Sequence, residues 1–178
     1  HPDTPITRLC LALWELDHKS PEVALALLSE TTFDPALEDI VLKAKADGLR
    51  GAKQSEKAIP LLDQLRKNTL SPLGPQAQFD HAETLFESQR YRQALKAYHT
   101  ALRTYPDYPG KWFVRERMAN CQEQISQRDK AIAGWRAVAR AVPEHPEGKR
   151  AQEQLVNLRK EGVRIKKRTV SEDLNWGI

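Results

Sequence analysis

Few residues in this chain could do chemistry, and their spacing does not bring them together. Histidines stand at 1, 18, 81, 99 and 145. None pairs with another in an HExxH motif, and no GxSxG, GxxxxGK[ST] or glycine-rich phosphate loop is present. His81 precedes Ala82 and His99 follows Tyr98, so both read as half-exposed helix residues rather than ligands. Cys10 and Cys121 belong to no CxxC pair and have no histidine at ligand spacing. Both lie in apolar helical stretches and read as buried, inert thiols. The acids recur at helical spacing, as solvated faces or partners four residues apart. This pattern predicts no catalysis, no cofactor and no metal.

The elements that carry these residues are easier to read. The chain has 178 residues, 40% hydrophobic and 29% charged, with 8 Gly and 11 Pro. That is enough for one domain or a short repeat array with a core. Alternating strand-like runs are absent, which predicts an all-α chain. No apolar run reaches the ~18 residues of a membrane span. The first residue is His rather than Met, which predicts a processed product or excised fragment with any signal peptide gone.

Helical periodicity is plainest in RYRQALKAYHTALRTYP (90–106), where Ala94, Tyr98 and Ala101 share a face. With Ala94 as anchor, Ala82 lies twelve residues before and Pro106 twelve after. Ala131 repeats this with Trp135, Val138, Pro143 and Ala119. Ala58 brings Leu62, Leu65 and Ala46; Ala24 brings Leu28 and Ala12. The four anchors Ala24, Ala58, Ala94 and Ala131 mark units of two helices each. The alanine lets a neighbouring helix approach closely, and the larger residue four positions on fills the groove. Helices are predicted near 4–17, 21–31, 35–50, 55–68, 75–88, 91–104, 110–126, 129–141 and 146–160. Ser20-Pro21, Asp34-Pro35, Ser71-Pro72 and His145-Pro146 mark starts. Pro60 predicts a fourth helix that starts late or bends. The last helix, with Ala151, Leu155 and Leu158 on one face, suits a cap.

The pattern resembles the tetratricopeptide repeat, TPR, whose 34-residue helical hairpin places small residues, an aromatic and a closing Pro as these units do. Repeats three and four match well. Repeats one and two lack the closing Pro and put Leu28 and Leu62 at the aromatic position. The large aromatic expected early in each first helix is replaced by Arg8, Leu42, Gln78 and Arg115. The resemblance implies a TPR-like α-solenoid of about four repeats (5–34, 39–72, 75–108, 112–145) with a capping helix at 146–161. Together these make one domain over 1–161, followed by a basic and polar tail or linker at 162–178.

The resemblance also implies a binding surface on the concave face. The matching positions include Ile40, Lys43, Asp47, Arg50 and Gly51, then Gln76, Phe79, Glu83, Phe86 and Glu87. In repeat four they are Phe113, Glu116, Asn120, Glu123 and Gln124. The partner-binding residues expected from these are Lys43, Asp47, Arg50, Phe79, Glu83, Phe86, Glu87, Phe113, Glu116, Asn120 and Glu123. Acids with phenylalanines suit a basic or amphipathic protein or peptide segment. The three phenylalanines serve equally as inter-helix packing. In repeat one Ile6, Leu9, Leu13 and Leu16 are too apolar to face water and predict a preceding helix. The Lys-Asn-Arg clamp of chaperone-binding members is absent, since Leu9, Leu13, Ala44, Gln76 and Asp80 stand there.

Net charge is +4, with a basic run at RKEGVRIKKR (159–168). Without interleaved aromatics it reads as a solvated tail, so no nucleic acid is expected. Trp176 near the end reads as an edge residue. The stretches at 90–109 and 128–146 look like units of periplasmic TPR proteins. The first function expected is therefore a non-catalytic scaffold or adaptor in a bacterial cell-envelope assembly, periplasmic rather than cytoplasmic. A second is the helical region of a larger soluble lytic transglycosylase acting on peptidoglycan. A third is a cytoplasmic secretion chaperone of TPR type.

Overall fold

The computed structural model describes residues 4–161, and these contain helices and turns but no strand. The basic run beyond Glu161, the tail at 162–178 and Trp176 lie outside the described residues. Nine α-helices follow one another: α1 Pro5–Asp17, α2 Pro21–Ser29, α3 Glu38–Gly51, α4 Ser55–Lys67, α5 Gly74–Glu87, α6 Tyr91–Thr104, α7 Lys111–Gln124, α8 Arg128–Ala141 and α9 Pro146–Lys160. They fall into two compact units, which divide after Gln89.

Local chemistry sets the helix ends. The Thr4 hydroxyl accepts from the Thr7 amide at 3.2 Å and caps α1. Pro21 and Pro146 open α2 and α9, where a missing amide proton costs nothing. Pro35 opens a single 3-10 turn before α3, with Asp34 accepting from the Ala36 amide at 2.8 Å. Pro72 does not start a helix, contrary to expectation. It sits in a turn in which Ser71 Oγ accepts from the Leu73 amide at 3.2 Å, and α5 begins at Gly74. α2 stops at Ser29, short of the expected 31. The Ser29 and Thr31 hydroxyls take the Ala26 and Leu27 carbonyls, competing with a further helical turn. α4 does not start late: it runs from Ser55 with Pro60 inside it. Pro60 and Glu56 are both exposed, so water can bond the Glu56 carbonyl that Pro60 leaves without its helical donor.

The turns at Lys19, Lys53, Gln89 and Ser126 share one backbone feature, φ of 61°, 60°, 58° and 63°. These left-handed positions recur at intervals of 34, 36 and 37 residues, the spacing of the alanine anchors.

The anchors themselves form the core. Ala12, Ala24, Ala46, Ala58, Ala82, Ala94, Ala119 and Ala131 are all fully buried. In the first unit, Leu9, Ala12, Ala24, Leu28, Val41 and Ala44 make one cluster. Ala46, Ala58, Leu62, Leu65 and Ala77 make another. Gly48 lets α3 come close: a Cβ there would lie 2.9 Å from Leu25 Cγ. In the second unit α7 has buried residues on several sides, from Val114 to Gln122, because α6, α8 and α9 all pack on it. Ala94→Leu or Ala131→Leu is expected to cost about 1–3 kcal/mol by overpacking. Unchanged urea midpoints for both would contradict the repeat register.

Two expectations are corrected. Cys10 is exposed, because it points off the buried Leu9 and Ala12 face; Cys121 is buried. The apolar face of α1 is split: Leu9 and Leu16 pack inward, while Ile6 and Leu13 are exposed.

Candidate functional site

In the first unit, α3 and α5 bring together most of the expected charges. Lys43 and Arg50 are seven residues apart and so share a face of α3. Lys43 Nζ reaches Asp47 Oδ2 at 2.5 Å on its own helix and Asp80 Oδ2 at 3.2 Å on α5. Arg50 holds Glu87 through Nη2 at 2.7 Å and Nε at 3.2 Å, and approaches Asp80 at 3.7 Å. Ser55 Oγ donates to Glu87 at 3.1 Å. Burial pulls the Arg50 pKa down, but the hydrogen bond and charge of Glu87, then Asp80 and Asp47, outweigh it and raise it. Lys43, Asp47, Arg50 and Glu87 thus spend their charge on one another. Their work is to fix α5 against α3.

Asp80 was missed as a member of this group. The signal was present in the sequence, since two cations seven apart on one helix face call for an acid opposite them.

Further along α5, Phe79 is 4% exposed and belongs to the core, so it can act on a partner only through the helix that it anchors. Glu83 and Phe86 remain partly exposed and Glu87 more so. Beside Glu87 a cleft of about 800 Å³ opens, lined by Arg50, Lys53, Ser55, Glu56 and Lys57 among others.

In the second unit the expected residues lie along α7. Glu116 is buried, and Arg150 of α9 grips it through Nε at 2.8 Å and Nη2 at 2.6 Å. It is a fastening for the last helix, not an acid offered to a partner. Asn120 accepts from Trp135 Nε1 at 2.9 Å. Glu123 accepts from Arg128 at 3.2 Å. Phe113 is half-buried under the Arg117 guanidinium, 4.8 Å from its ring centre. Arg150, like Asp80, was not foreseen; it lies 34 residues from Glu116, one repeat on. Most of the expected acids, namely Asp47, Glu87, Glu116 and Glu123, are therefore paired within the chain.

Among the described residues no group of three histidines, cysteines or acids could hold a metal ion, and no helix is long and apolar enough to cross a membrane.

Residues 76–108 match the tetratricopeptide-repeat family model. Two crystal structures of the nearly identical TPR-like repeats of a Podosopora anserina protein, assigned as a kinesin light chain, superpose on the chain. Their TM-scores are 0.69 and 0.67 at 16% identity, covering 99% of this chain and 93% and 92% of those. The fold is TPR-like. No curated protein matches the sequence. TPR repeats bind proteins or peptides, and the fold is typically a non-catalytic scaffold.

Proposed function

We propose that this TPR-like chain is a non-catalytic adaptor that holds an amphipathic protein or peptide segment on the α5 face bearing Glu83 and Phe86. The observation that carries this reading is the state of Phe86. Its ring is only partly buried, on a helix held to α3 by the Lys43, Asp80, Arg50 and Glu87 network. A fixed aromatic anchor loses little entropy on binding. Because Glu87 is already paired, apolar contact at Phe86 would supply most of the affinity. In the second unit Phe113 of α7 has a half-buried ring of the same kind. The likeness of 90–109 and 128–146 to periplasmic units supports a place in a bacterial envelope assembly.

A random peptide library displayed on phage tests this against the intact chain. Selection should enrich amphipathic segments, and Phe86→Ala should weaken them by about 1–3 kcal/mol, with circular dichroism unchanged. Enriched peptides that bind Phe86→Ala as well as wild type would remove the α5 face from consideration. The same purified chain should leave peptidoglycan uncut, as the lack of any catalytic motif in the sequence predicts.

A further inference from the structure

The second unit carries a cleft of about 720 Å³ between α6 and α7 whose charge is of one sign. Arg92, Lys96 and Arg103 enter it from α6 and Arg115 from α7, and no carboxylate lines it. Among the described residues none of these four cations is paired with an acid, in contrast to Lys43, Arg50, Arg128 and Arg150. Arg115 stands where the TPR pattern places a large aromatic. It is half-buried with its Nε unbonded, and its charge meets only the face of Trp112 at 5.2 Å. A guanidinium partly stripped of water and left without an anion is an unfavourable arrangement that an incoming anion would relieve. Leu95, Leu102 and Pro106 supply apolar lining beside the charges, and no Phe, Tyr or Trp ring lines the cleft to stack a base.

We infer that this cleft is a second docking site, for an acidic segment of a protein partner that carries apolar side chains between its carboxylates. The inference goes beyond the α5 reading and does not depend on it. The apolar lining and the lack of Phe, Tyr or Trp rings favour a peptide over a nucleic acid. His99, also in the cleft, reports on occupancy. Burial first, and the charge of Lys130 second, hold its pKa below the ordinary value of 6.5. The charged groups that line the cleft with it are Arg92, Lys96 and Arg103 of α6 and Arg115 of α7, and Lys130 of α8 adds its charge. A carboxylate seated there would favour the charged imidazole and move that pKa up.

The test uses the full chain and a fluorescein-labelled peptide of alternating Glu and Leu, with a Gln and Leu peptide as the neutral counterpart. Anisotropy should show binding of the acidic peptide only. Arg115→Gln should weaken it about tenfold, and so should Lys96→Glu with Arg103→Glu; Lys45→Glu on α3 should change it less than about twofold. The Lys96 and Arg103 pair is exposed, so this double variant stays informative if Arg115→Gln fails to fold. The His99 imidazole resonance should titrate at higher pH with peptide bound, in wild type but not in the double variant. Equal binding by folded cleft variants, an unmoved His99 titration, or equal binding of the neutral peptide would each overturn the site. Stronger binding of duplex DNA than of the peptide, lost in the same variants, would overturn the peptide assignment.

Discussion

Trp135→Ala should lower stability by about 3–5 kcal/mol, the range for truncating a buried aromatic. The ring is 3% exposed and sits four residues after Ala131 and three before Val138, both fully buried on α8. α7 and α8 are closely packed against each other, and Trp135 also joins them by its bond to Asn120. Two terms add. Removing the ring leaves a void that flanking alanines cannot fill, and this is the larger. Losing the indole donor contributes about 1 kcal/mol, since Asn120 is half-buried and water can partly replace the bond. Trp135→Phe separates them, keeping most of the volume and losing the donor, so it should cost well under half as much. Urea unfolding gives both values, and the alanine variant should also melt on the order of 10 °C lower. A Trp135→Ala protein whose urea midpoint matches that of Trp135→Phe would show that the ring does not fill the α7–α8 interface.

The same residue shows what the sequence could convey. That a large residue belongs four positions after Ala131 followed from periodicity, as it did for Tyr98, Leu62 and Leu28, and all four are buried. Periodicity reports which side of a helix is covered, so the nine helices and the alanine anchors were legible. It does not report which polar groups meet. The Trp135 to Asn120 bond and the Glu116 to Arg150 pair depend on side-chain reach between elements 15 and 34 residues apart in sequence. The repeat resemblance places both Glu116 and Asn120 among partner-binding positions, yet one is buried in an ion pair and the other bonds Trp135 within its own hairpin. The left-handed turns were hidden for another reason. Their residues are Lys19, Lys53, Gln89 and Ser126 rather than the Gly or Asn that usually mark such a conformation. The cationic cleft was half visible. The departure at Arg115 was plain, but its meaning required knowing that Arg92, Lys96 and Arg103 of α6 face the same space without acids.

Gly148→Ala should destabilise the second unit by about 3 kcal/mol or more, at the upper end of overpacking effects. A Cβ at this position would lie 1.9 Å from the Val142 carbonyl oxygen, 2.7 Å from its carbonyl carbon and 3.1 Å from Pro143 Cα. All three are backbone atoms in the short connection from α8 to α9, so no side-chain rotation can make room. Either α9 moves or the connection does. Moving α9 would strain the Arg150 to Glu116 pair at 2.6–2.8 Å and lift Ala151 and Leu158 from their buried places. If the pair breaks, a buried carboxylate is left without its cation, which adds its own penalty. Gly110→Ala is the matched control. Its Cβ would meet Tyr108 Cε1 at 2.7 Å, the far edge of a side chain that can swing aside, so that variant should stay within about 1 kcal/mol of wild type. Urea denaturation of the two variants gives the difference, and amide hydrogen exchange along Pro146–Lys160 shows where it arises. α9 amides should exchange faster in Gly148→Ala and stay protected in Gly110→Ala. Equal stability of the two variants, with α9 equally protected, would mean that α9 does not dock on the α8 connection as the close approach of Gly148 requires.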